Sequence, residues 1–176
     1  FKLHRQIVTN HFSDIIMSMV EIHNSVAKVY EENKETLEIF ECLDEFSDTQ
    51  NFCDHYGFDI EDSCNAILIK AKKPEEFYAM FCVLGANRLD VNHKAKEAMG
   101  AKRVSFASRE EAETVTGQIY GGISPLGLPE NIKVYMDKNV TDREKLFIGA
   151  GNRVSKFFLS PETLIQLSSA TVLDLT

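Results

Sequence analysis

The sequence lacks the marks of several protein classes, and each absence excludes something. No apolar run approaches the length of a membrane-spanning helix, and nothing has the charged, apolar and small-residue zones of a signal peptide. The four cysteines, Cys42, Cys53, Cys64 and Cys82, form no C-x-x-C pair and stand at no metal-ligand spacing with histidine. They read as reduced thiols, mostly core filler, in a cytosolic protein, so the expected localisation is cytoplasmic. His4, His11, His23, His55 and His93 are scattered and include no H-E-x-x-H; neither a metal nor a cofactor is expected. No internal repeat and no low-complexity linker interrupts the chain. It starts at Phe1 rather than Met, which we read as a missing N-terminal piece.

A basic excess is missing too. The chain carries 19 Lys and Arg against 27 Asp and Glu, a net charge of −8. Residues 1–60 hold twelve acids and four bases, so all the net negative charge lies there and the remainder is balanced. This argues against a protein that grips long stretches of nucleic acid by counterion release. It leaves room for a local phosphate contact from Arg88, Lys94, Lys96, Lys102, Arg103 or Arg153, most of which should be plain solvated surface.

What is present is one unusual loop. Tyr120-Gly121-Gly122-Ile123-Ser124-Pro125-Leu126-Gly127-Leu128-Pro129 packs three glycines and two prolines into ten residues. Glycine lets backbone approach a ligand closely and proline keeps the loop stiff. Such a loop can present its own N–H and C=O groups to a bound molecule, or serve only as a tight connector.

Around it, apolar spacing predicts helices over 3–21 and from Asn24-Ser25 to about Asn33. Ser47-Asp48-Thr49-Gln50 fits a capping box opening a helix that stops at Gly57. Strands are expected at Leu37–Leu43, Asn65–Ala71, Phe77–Leu84, Arg103–Ala107, Ile132–Met136, Lys145–Ile148, Lys156–Leu159 and Thr171–Leu175. Asp90 caps a helix ending at Gly100, Ser108-Arg109-Glu110-Glu111 is a second capping box, Thr141-Asp142-Arg143-Glu144 a third, and Ser160-Pro161 opens the last helix. Interleaving without strict βαβ periodicity predicts an α/β domain of α+β type. Its mixed, strongly curved sheet is flanked by helices and preceded by an N-terminal helical extension.

Five blocks carry a family resemblance. They are Arg88-Leu89-Asp90-Val91-Asn92, Gly100–Ala107, Thr116-Gly117, Gly121–Gly127 and Gly149-Ala150-Gly151-Asn152-Arg153. In this order and spacing the chain resembles the YbaK/ProX family of aminoacyl-tRNA editing domains, which includes the editing insertion of bacterial prolyl-tRNA synthetases. The resemblance assigns residues 24–176 to the editing domain and 1–23 to the extension. It implies hydrolysis, in trans, of the ester linking a wrong amino acid to the tRNA 3′ end, with the tRNA acceptor end as partner and a synthetase as a second candidate. In the family the terminal adenosine is thought to lend its hydroxyl, which suits a chain without a Ser-His-Asp or Cys-His pattern. Gly122 and Ser124 are then expected in catalysis, and Gly121, Ile123, Pro125, Gly127, Gly149, Gly151, Asn152 and Arg88 in substrate binding.

The pattern breaks at two places. Where well-known members carry a lysine at the start of a strand, this chain has Asn65, and Lys70 lies at an odd offset that puts it on the other face. Where some members place an aspartate, it has Lys156. Asn65 and Lys156 are thus candidate catalytic residues: either Lys156 supplies the missing cation from the opposite wall, or it points to solvent and the cation is lost. The alternative function is a non-catalytic module binding aminoacyl-tRNA ends or a synthetase. A more distant one is another small-ester or nucleotide hydrolase reusing the loops.

Overall fold

The computed structural model describes residues 20–176. The helix expected over 3–21 lies outside them, apart from Val20 and Glu21, which are not helical. Helix α1, Asn24–Glu32, starts at the expected cap itself, and the cap is His23 one residue earlier, whose Nδ1 accepts the Ser25 N–H at 3.3 Å. After strand β1 (Glu38–Glu41), α2 (Thr49–Tyr56) is capped by Asp48, which accepts the Gln50 and Asn51 N–H groups. The expected cap was Ser47. Gly57 closes α2 with a left-handed φ of 77°, a conformation glycine adopts without Cβ strain.

Strands β2 (Cys64–Lys73) and β3 (Phe77–Leu84) form a hairpin. Asp90 then caps a widened helical turn, Val91–Ala95, that runs into the short α3 (Lys96–Ala98). Beyond β4 (Arg103–Phe106), the Ser108/Glu111 capping box forms as expected and opens α4 (Arg109–Thr116). The remaining elements are β5 (Lys133–Asp137), β6 (Leu146–Gly149), β7 (Ser155–Leu159), α5 (Pro161–Ser168, capped by Ser160) and β8 (Thr171–Leu173). The third capping box opens no helix. A tight 3-10 turn, Lys138–Asp142, occupies that place and is capped by Asp137, whose buried carboxylate also accepts the Leu175 N–H at 2.8 Å.

The mixed α/β architecture is present, with its strands divided between two sheets. One has the order β1-β7-β6 and is antiparallel. The other has the order β4-β2-β3-β5-β8, antiparallel through β3 and parallel beyond it. A parallel bridge, Ser63 to Phe147, joins them.

The main core gathers Phe157, Leu159, Leu146 and Ile148 from the small sheet with Leu68, Met80, Cys82 and Met136 from the large one. A second cluster sets Ile69, Phe81 and Val83 against Ala95 and Met99. A third, aromatic cluster packs Phe52 of α2 on Phe147 and Phe158. Strand β7 is therefore buried on both faces, with alternate residues turned towards the main core and towards α2.

Candidate active site

The glycine–proline loop is organised by Gln118, which is 2% exposed. Its Oε1 accepts the Ser124 N–H at 2.6 Å and its Nε2 donates to Leu126 O at 2.8 Å. Ser124 is fully buried, and its Oγ accepts the Leu126 N–H at 3.1 Å. This hydroxyl thus supports its own turn. Pro125 and Gly127 border a cleft of about 590 Å³ with Leu128, Ile132, Tyr135 and Leu167, away from the other candidate residues. Gly127 also lies against Ser25 O of α1.

The two glycine loops interlock through bare backbone. A Cβ on Gly122 would fall 1.7 Å from Asn152 O, and one on Gly149 would fall 2.4 Å from Ile123 O. The Gly151 N–H donates to Gly122 O at 2.7 Å, and the Ile119 N–H to Gly151 O at 2.9 Å. Asn152 fixes the second loop from within. Its amide donates to Glu21 O at 3.0 Å, while its Oδ1 accepts from the Val154 N–H and the Ser155 hydroxyl. Arg153 lies across Gly121 and is paired with Asp44 at 3.0 Å.

Within the first loop the Gly122, Ser124 and Leu126 N–H groups are committed to protein acceptors. Those of Gly121 and Ile123 have no acceptor among the described residues.

Lys156 does not point to solvent. It is 6% exposed, donates from Nζ to Ser47 O at 2.9 Å, and stands 5.0 Å from the centre of the Phe52 ring. No carboxylate pairs with it among the described residues, and burial pulls its pKa below the usual 10.5. Ser47 carries the contact onward, its Oγ donating to Gly121 O at 3.0 Å. Two residues later, the Thr49 hydroxyl donates to Asn65 Oδ1 at 3.2 Å.

Segment 47–49 therefore touches Lys156, Gly121 and Asn65, which come from one sheet, the loop and the other sheet. Lys70 is turned away and pairs with Glu111 at 2.8 Å. Arg88 is exposed on the turn after β3, and no hydrogen bond or ion pair among the described residues ties it to this cluster. Cys42 and Cys53 lie near Lys156, yet burial pushes the first up and the second up to about 11, so both are neutral thiols at pH 7.

Sequence reasoning missed Ser47, Thr49 and Gln118 as builders of this region. Ser47 carried a signal, a cap-type residue before α2, but the neighbouring Asp48 does the capping. Among the described residues no three His, Cys, Asp or Glu converge as a metal site, and no helix is long and apolar enough to cross a membrane. The arrangement offers the Gly121 and Ile123 N–H groups, without acceptors among the described residues, on a loop linked through Ser47 to a buried cation. That combination can stabilise an oxyanion without a side-chain nucleophile.

Such a loop-built site on a two-sheet α/β frame defines a class, and the sequence comparison agrees with it. Residues 44–167 match the aminoacyl-tRNA editing domain family, and the chain belongs to that family. It is 29% identical over 92 residues to EbsC of Enterococcus faecalis, whose proposed activity is deacylation of Cys-tRNA(Pro) and Cys-tRNA(Cys). That match covers 52% of this chain and 56% of EbsC, so the chain spans about half the length of that relative. A stretch of 57 residues, 32% of this chain, is 40% identical to 9% of the proline–tRNA ligase of Streptococcus pneumoniae. The fold matches the crystal structure of a proposed trans-editing enzyme for prolyl-tRNA synthetase with a TM-score of 0.75 and 22% identity, covering 89% of this chain and 99% of that one.

Proposed function

We propose that this protein is a trans-acting deacylase that hydrolyses the ester of mischarged aminoacyl-tRNA. The observation that carries the reading is the interlocked pair of glycine loops, which leaves the Gly121 and Ile123 N–H groups without acceptors among the described residues. In this reading the ester carbonyl lies over those groups. As water attacks, negative charge grows on the carbonyl oxygen, and donors already in place stabilise it without reorganising. Lys156 acts through Ser47: it anchors the carbonyl of a residue whose hydroxyl holds Gly121 O, and adds positive potential from below. Asn65, steadied by Thr49, provides a neutral amide where the family resemblance places a lysine. The resemblance assigns the hydroxyl of the terminal adenosine to the role of activating group.

A second reading is favoured by Asn65 itself. With the family lysine absent, the domain binds aminoacyl-tRNA ends or a synthetase and turns nothing over.

The deciding experiment is deacylation of tRNAs charged with alanine, serine, threonine, cysteine and proline, with Asn65→Ala and Lys156→Ala alongside. Turnover of one or two substrates is the expected result, and turnover of none with tRNA binding intact establishes the binding module. Unchanged activity in Lys156→Ala, together with its loss in Asn65→Ala, eliminates the idea that the cation has moved to Lys156.

A further inference from the structure

Next to the Gly121 and Ile123 N–H groups the chain holds a half-exposed aromatic ring. Tyr120 is 47% exposed and follows Ile119, itself 39% exposed. Its backbone is nevertheless pinned: the Tyr120 N–H donates to Glu113 Oε2 at 3.2 Å, and the Ile119 N–H to Gly151 O at 2.9 Å. The Arg109 guanidinium stands over the ring at 5.7 Å from its centroid and is itself held by Glu113. On the following residue the Arg153 guanidinium crosses Gly121, its Nη1 2.3 Å from where a Cβ would be, while its Nε is paired with Asp44 at 3.0 Å.

An exposed ring on pinned backbone, with one guanidinium over it and a second beside the next residue, suits a nucleobase and its phosphate. Bases stack on aromatic faces whatever their sequence, and arginine matches phosphate geometry. Three residues of chain span at most about 10–11 Å, so a base seated on Tyr120 leaves its own ribose within reach of Gly121 and Ile123.

We propose that Tyr120 is the stacking platform for the terminal base of the acylated tRNA, with Arg109 and Arg153 beside its phosphates. This rests on the editing reading and adds the residue that delivers the ester to the loop. Tyr120 is a binding residue, so its loss falls on KM more than on kcat.

The test uses an RNA minihelix ending in CCA, with 2-aminopurine in place of the terminal adenine, and the full chain. Stacking on wild type quenches the fluorescence. Tyr120→Ala abolishes the quench and weakens binding about 5- to 150-fold, the equivalent of one base–aromatic stack of about 1–3 kcal/mol. Tyr120→Phe keeps both, because the ring face and not the hydroxyl is used. Circular dichroism and melting confirm that both variants are folded. The proposal is overturned if Phe loses as much as Ala, if the quench persists in Ala, or if wild type binds the minihelix without quenching or not at all. Quenching by a wild-type protein that hydrolyses no charged tRNA supports the platform and removes the deacylase reading instead.

Discussion

Lys156→Met takes a charge out of the interior and keeps the length of the side chain. In the wild type the ammonium has, among the described residues, one hydrogen bond, to Ser47 O, and the face of Phe52. A charged hydrogen bond contributes about 1.5–3 kcal/mol, and a desolvated cation–π contact about 2. Methionine forfeits both and orphans a buried carbonyl at a cost of about 1–3 kcal/mol. Against this, it removes an effective desolvation penalty of several kcal/mol. The opposing contributions nearly cancel, so stability should stay within about 2 kcal/mol of wild type. At 2–4 °C per kcal/mol for a chain of this size, that is a Tm within about 8 °C.

Activity should behave differently, falling about tenfold or more if the charge acts on the transition state. The pH dependence supplies a second readout. The folded-state pKa of Lys156 lies below the unfolded value of 10.5, so between the two the unfolded chain binds more protons and stability rises with pH. Wild type should therefore gain on Lys156→Met as pH climbs towards 10.5. The assays are calorimetric melts across that range and single-turnover deacylation at pH 7. A variant that keeps wild-type kcat/KM while melting far more than 8 °C lower would refute this reasoning and make Lys156 a structural strut.

Gly122→Ala drives a Cβ into Asn152 O, and should cost about 1–3 kcal/mol in a melt. It should also slow deacylation about 10²-fold by displacing the loop; near-normal kcat/KM would show that the loop spacing is unimportant. Glu111, held at about 2 by Lys70 and the Ser108 N–H, contributes stability present above its usual 4.5 and lost as pH falls towards 2. Glu111→Gln should therefore flatten the acid limb of stability against pH, measured by urea midpoints. Binding of the tRNA end should have a shallow salt slope, about −1.4 in log–log terms for two single-strand phosphate contacts. A slope several times steeper would mean a much larger electrostatic footprint.

Local chemistry was legible wherever it was self-contained. The Ser108/Glu111 box, the Ser160-Pro161 start and the Gly57 stop each form within a few residues, and each appears where the sequence placed it. Competition between neighbours was not legible. Ser47, Asp48 and Thr49 are all cap-type residues, and Asp48 takes the role while Ser47 reaches Gly121. Thr141 opens no helix because the buried Asp137 caps a tighter turn and also secures the chain at Leu175.

The division into two sheets depends on pairings between distant segments, which no local pattern encodes. The direction of Lys156 was hidden for a related reason. A strand buried on both faces, Ser155–Leu159, has no polar side from which to read its alternation.

Segment 47–49 reaches Lys156 across 109 positions of sequence and Gly121 across 74. Contacts this distant carry a large loop-closure cost and cannot form within a growing chain until its last strands have emerged. Lys156 and the second glycine loop therefore join the site last. A nascent or partly unfolded copy lacks the cation, the second glycine loop, or both. A protein whose proposed work is to cut amino acids from tRNA would then be inert during its own synthesis, competent only once every strand that frames the site has docked.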